Sequence, residues 1–177
     1  MTRRIMTLSL FLLLALGMLA APLQAKPASS GLDADVLREL AQVRRATAQY
    51  HDVTVAEAAG YTVQLDGAGE PDCVSYPGGG MGYHYVNFGL IAENQDGLDP
   101  LAPAILVYAP RPNGSLKLVA VEYAAFGSAD VTFELLGQGF ARPAPPGAGP
   151  PFHTLHAWVW KANPDGMFAP FNPNVSC

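Results

Sequence analysis

The chain has 177 residues, half of them hydrophobic, with 10 basic and 15 acidic side chains and a formal charge of −5. An acidic balance without a basic stripe argues against nucleic acid and anionic membrane surfaces as partners. The two cysteines, Cys73 and Cys177, lack the close Cys-x-x-Cys spacing of common zinc sites.

Arg3 and Arg4 precede an almost unbroken apolar run over residues 5–21, and Leu23-Gln24-Ala25 follows with small residues suited to cleavage. This is the layout of a secretory signal peptide over residues 1–25. Thr2-Arg3-Arg4-Ile5-Met6 loosely resembles a twin-arginine signal, although an ordinary basic leader fits the greasy run better. No cysteine lies near the cleavage point, so no lipid anchor and no lasting membrane attachment are expected after cleavage. Residues 26–177 then form one exported domain, periplasmic or extracellular, with 8 basic and 15 acidic residues once Arg3 and Arg4 are removed, a formal charge of −7.

Asp33 is placed to cap a helix whose buried face is Val36, Leu40, Val43, Thr47 and Tyr50. His51-Asp52 interrupts it, and a second helical turn over 53–59 ends at Gly60. From Tyr61 the pattern changes to strands and turns. Residues 61–65 predict a short strand, 66–69 a turn, and 71–82 an irregular glycine-rich loop that carries Cys73. A strand follows over 82–88, a turn over 96–100, and an apolar strand over 104–109. Arg111-Pro112-Asn113-Gly114 predicts a hairpin turn into a long strand, Leu116–Phe126. Residues 131–135 fit a strand or a helical turn, 141–151 an extended Pro/Gly-rich loop, and 152–161 a final strand. The predicted class is therefore α+β, with an N-terminal helix packed on a curved, mostly antiparallel sheet of about five or six strands.

In an exported protein an even cysteine count invites a disulfide, and Cys73–Cys177 is the one available pairing. It would close a loop of about a hundred residues, for which the chain-entropy model gives about 4–5 kcal/mol.

The chemistry concentrates on three strands. His84 sits within Tyr83-His84-Tyr85, His156 opens His156-Ala157-Trp158-Val159-Trp160, and Glu122 lies in a strand whose other charge is Lys117. Such groups are costly to bury without partners. Side chains alternate along a strand, so His153 and His156 point to opposite faces, and the His-x-x-His spacing carries no ligand pair. The same alternation places Glu122 with Leu116, Leu118, Ala120 and Ala124. Two imidazoles and one carboxylate from three strands are a fitting donor set for a transition metal such as copper, zinc or iron. Tyr83, Tyr85, Trp158 and Trp160 are the candidate walls of a ligand pocket around them, which a small molecule would enter. The contrasting expectation is a non-catalytic structural or interaction domain of the cell envelope, in which these groups form a satisfied polar core. In that case Glu122 pairs with Arg111, Lys161 or His156.

Two motifs are absent. Pro77-Gly78-Gly79-Gly80-Met81-Gly82 lacks the following Lys-Ser/Thr of a phosphate-binding loop, and no Gly-x-Ser-x-Gly elbow occurs. No residue pattern names a reaction.

Gly80-Met81-Gly82-Tyr83-His84-Tyr85-Val86-Asn87, Leu118-Val119-Ala120-Val121-Glu122-Tyr123, His156-Ala157-Trp158-Val159-Trp160 with Asn163-Pro164-Asp165-Gly166-Met167-Phe168, and Asn172-Pro173-Asn174-Val175-Ser176-Cys177 together resemble a family of exported bacterial proteins usually labelled hypothetical. The likeness spans most of residues 46–177. It implies that these segments belong to one architecture and supplies no activity.

Overall fold

A computed structural model describes residues 31–94, 97–141 and 152–177. The expected signal peptide, and all but the first residue of the 141–151 loop, lie outside the described residues. Helix α1 (Ala34–Thr47) forms where the apolar spacing puts Leu40, Val43 and Thr47 on one buried face. A short 3-10 turn (Ala48–His51) breaks it, and Asp52 then caps α2 (Val53–Ala58) by accepting from the Thr54 amide.

The sheet contains β1 (Thr62–Val63), β2 (Cys73–Tyr76), β3 (Gly79–Val86), β4 (Ile105–Pro110), β5 (Leu116–Phe126) and β8 (Phe152–Ala157). Its order is β1-β3-β4-β5-β8, with β2 also paired to β3, and every pairing is antiparallel. It is an open sheet in the α+β class. A separate two-stranded ribbon joins β6 (Glu134–Leu135) to β7 (Gln138–Gly139).

One face of the sheet packs on α1 and α2 through Tyr85, Leu106, Tyr108, Val121, Tyr123 and Leu155. Three tyrosines secure this side by donating to carbonyls: Tyr61 to Pro103 at 2.7 Å, Tyr108 to Tyr50 at 2.5 Å and Tyr123 to Pro100 at 2.8 Å. Burial raises all three phenol pKa values, which keeps the donors protonated. The second face carries Val86, Ile105, Val107, Ala120, Ala124 and Trp158.

Several elements differ from the sequence expectation, each for a local reason. The glycine-rich stretch is a hairpin, β2 to β3, and not an irregular loop. Two of its glycines are obligatory. Gly79 and Gly82 have φ of 143° and 107°, and a Cβ would meet the Asn172 backbone at Gly79 and the Tyr108 carbonyl at Gly82. The strand expected to reach Phe88 stops at Val86, because Asn87 caps a helix, α3 (Phe88–Glu93), by accepting from the Leu90 amide. The last strand ends at Ala157, where the Val159 amide turns back to the Ala157 carbonyl.

Cys73 and Cys177 are bonded, with Cα atoms 5.8 Å apart, and join β2 to the C-terminal segment. The same segment bridges to the sheet through reciprocal backbone bonds between Gly80 and Asn172. Among the described residues no helix is long and apolar enough to cross a membrane.

The crosslink closes a loop 104 residues long. A Cys73→Ser, Cys177→Ser double variant should lose about 2–5 kcal/mol of unfolding free energy. Urea denaturation of both proteins without reductant measures this, and a loss below about 1 kcal/mol would contradict it.

Candidate metal centre

The position of Glu122 depends on a bulge. Val107 pairs with Ala120 and Tyr108 with Leu118, so Val119 is the extra residue in β5. Strict alternation would have put Glu122 with Leu116 and Leu118. The bulge reverses the phase, and both leucines pack on the helix side. Glu122 instead shares its face with Ala120 and Ala124.

Two neighbours reach it across the sheet. His156 stands directly opposite Glu122 in the β5–β8 register, where facing side chains are close enough to touch. His84 comes from farther away. It is paired with Val107, and Glu122 with Ile105, so β4 lies between them. Two strand spacings, roughly 10 Å, are spanned by the combined reach of an imidazole and a glutamate side chain. His156 Nδ1 lies 3.3 Å from one Glu122 carboxylate oxygen, and His84 Nε2 lies 3.5 Å from the other. One ligand atom from each of the three residues falls within 4.8 Å of the others.

All three are buried, at 6% exposure for His84 and 4% for both Glu122 and His156. Burial sets their acid–base behaviour. Loss of hydration raises the Glu122 pKa, against the opposing pull of His84 and Thr154. The same cause lowers the His84 pKa, with Glu122 opposing, and lowers that of His156 to about 4. Both imidazoles are therefore neutral near pH 7, the state that ligates metal. His84 Nδ1 and His156 Nε2 are both buried without a hydrogen-bond partner. Among the described residues the ion-pair neighbours of Glu122 are these two histidines; neither Arg111 nor Lys161 pairs with it.

The expected pocket walls need correction. Tyr83 and Tyr85 occupy the opposite face of β3 from His84 and pack with the helix-side core. Trp160 also lies outside the site, because the chain has left β8 before reaching it. Its indole donates to the Thr47 hydroxyl at 3.1 Å and its ring meets His51 and Arg44. Trp158 is the one of the four that stays beside the centre. Its ring lies parallel to His156, with centroids 6.2 Å apart, and its Nε1 donates to the Ala169 carbonyl.

The walls come from elsewhere. A cavity of about 430 Å³ opens over the site, with His84, Glu122, Gln64 and Thr154 as its polar lining. Its apolar lining includes Val74, Met81, Ile91 and Ile105. Thr154 was open to discovery from sequence, since it shares strand parity with His156. Val74, Phe88 and Ile91 were not, because the sequence predicts a loop over 71–82, a strand ending at Phe88 and no element at Ile91. His153 turns away from the centre, as alternation requires, and meets the Ser128 carbonyl at 3.0 Å.

Comparison with protein-family models, with curated proteins and with solved structures finds no match. The chemistry of the site therefore rests on its own residues: a buried His–Glu–His group that can hold a metal ion.

The His156 ring should stay neutral from pH 7 down to about pH 4. Because its folded pKa lies below its unfolded value, His156 contributes stability above pH 6.5 that is withdrawn as the pH falls toward 4. Glu122, with a raised pKa, acts in the opposite sense: it favours the fold at low pH and loses that contribution as the pH rises through its folded pKa. NMR titration of the imidazole carbon shifts in metal-free protein reads the His156 midpoint separately. A midpoint near 6.5 would contradict its burial as described.

Proposed function

We propose that this chain is an exported protein that binds a divalent transition metal through His84, Glu122 and His156. The observation that carries this reading is a buried carboxylate whose ion-pair neighbours among the described residues are two neutral, buried imidazoles. Burial pushes the Glu122 carboxyl toward its protonated form, and imidazoles that are not protonated bring no positive charge to hold it ionised. A divalent cation supplies it.

The donor chemistry agrees. Ligand bonds of about 2.0–2.2 Å set neighbouring donors roughly 3–4 Å apart, and the 3.3 and 3.5 Å contacts of Glu122 fall in that range. Two imidazoles and a carboxylate suit zinc, copper or iron. Three protein donors leave a further position for water or a substrate oxygen, which a bound metal polarises as a Lewis acid. His84 and Glu122 both face the cavity, so that position is reached from it.

Export is part of the proposal. It is supported by the basic-apolar-small sequence over residues 1–25, by the Cys73–Cys177 bond, and by the resemblance to exported bacterial proteins. A second reading has one observation in its favour. The two imidazole nitrogens lie 3.3 and 3.5 Å from the Glu122 carboxylate, near enough to form with it a metal-free polar core of an envelope domain.

Elemental analysis separates the two. Protein isolated from the periplasm without an affinity tag should carry close to one zinc, copper or iron per chain, and the His84→Ala variant should carry at least about tenfold less. A folded protein with no bound metal, that also fails to take up any of the three in titration, would overturn the metal reading in favour of the polar core.

A further inference from the structure

Resting on that metal reading, we infer that the cavity takes a monoanionic organic acid with an apolar body. Its carboxylate meets the metal, and its body lies against Val74, Met81, Ile91 and Phe126.

The first argument is charge. A divalent ion held by one carboxylate and two neutral imidazoles leaves one net positive charge in a buried, apolar setting. Such a charge is costly unless an anion cancels it. Among the described residues the cavity offers no second acidic side chain, since its remaining polar lining is the neutral Gln64 and Thr154. A ligand with a single negative charge restores neutrality. A phosphate or dicarboxylate would overshoot, and among the described residues no lysine or arginine lines the cavity to receive the surplus.

The second argument is space. A single hydroxide would neutralise the ion as well, but about 430 Å³ is far more than a water needs and falls within the range of small-molecule sites. Eight of the twelve lining residues are apolar, so the volume suits hydrocarbon and not a sugar. Two of them, Phe88 and Phe152, are 65% and 41% exposed and extend the apolar surface outward.

Octanoate tests this, with cobalt(II) as the metal and methyl octanoate as its uncharged counterpart. Octanoate should change the visible absorption bands of the cobalt-loaded protein and bind at least about tenfold more tightly than to metal-free protein. Methyl octanoate should leave the bands unchanged. Acetate, which has the carboxylate but almost no body, should bind at least about tenfold more weakly than octanoate. Val74→Trp and Met81→Trp, each filling the cavity from a different strand, should retain cobalt and lose octanoate. Bands indifferent to octanoate in cobalt-loaded protein would overturn the inference while leaving metal binding intact. So would equal affinity for acetate and octanoate, or unchanged octanoate binding in both tryptophan variants. Failure to bind cobalt or any of the native candidate metals would instead remove the metal reading on which the inference stands.

Discussion

A carboxylate has been carried into the middle of an apolar sheet face, and much of the surrounding structure answers to that cost. The effective penalty for burying an ion is several kcal/mol even after the protein relaxes. Glu122 receives no guanidinium or ammonium partner among the described residues. It receives two rings from strands on either side, both kept neutral by the same dry surroundings that penalise the carboxylate. An arrangement so poorly balanced by itself is expensive as a mere packing solution. It becomes economical when a cation occupies the space between the donors.

The two faces of the sheet divide the labour. The helix side is held by aliphatic packing and by three tyrosine hydroxyls that each end on a backbone carbonyl. Arg44 donates to the Val159 carbonyl and Trp160 to Thr47, which ties α1 to the segment that follows β8. That frame holds β3, β5 and β8 in fixed register. The opposite face can then carry groups chosen for chemistry and leave open volume above them. Rigid strands beneath a ligand-sized cavity are a sound support for a metal centre, since donors must be held within a fraction of an ångström.

The class of fold was legible in the sequence because its strongest signals are local. The three-four spacing of Leu40, Val43 and Thr47 marks α1, and the apolar run of β5 begins and ends where its composition changes. The three chemical residues were legible for a different reason: polar, ligand-capable side chains are rare on such strands. Their convergence could not be read, because strand order and register are long-range properties. The walls were misread at two kinds of place. Tyr83 and Tyr85 neighbour His84 in sequence, but strand alternation sends them to the other face. Trp160 was assigned by alternation continued beyond Ala157, where the strand had already ended. The hairpin β2–β3 and the helix α3 were hidden by glycine, which permits many conformations and so announces none.

The bulge at Val119 divides β5 into two stretches of opposite phase. Upstream of it, β5 delivers its large side chains to the helices; downstream, the same chain is out of step by one residue and still delivers Val121 and Tyr123 there. What remains for the other side is the sparse series Ala120, Glu122, Ala124. Two methyl groups flank the carboxylate, and the imidazoles lean into the room they leave. The strand thus behaves as two rulers joined with an offset, and a length change between the join and Glu122 would turn the acid toward the helices while presenting a valine or a tyrosine to the histidines.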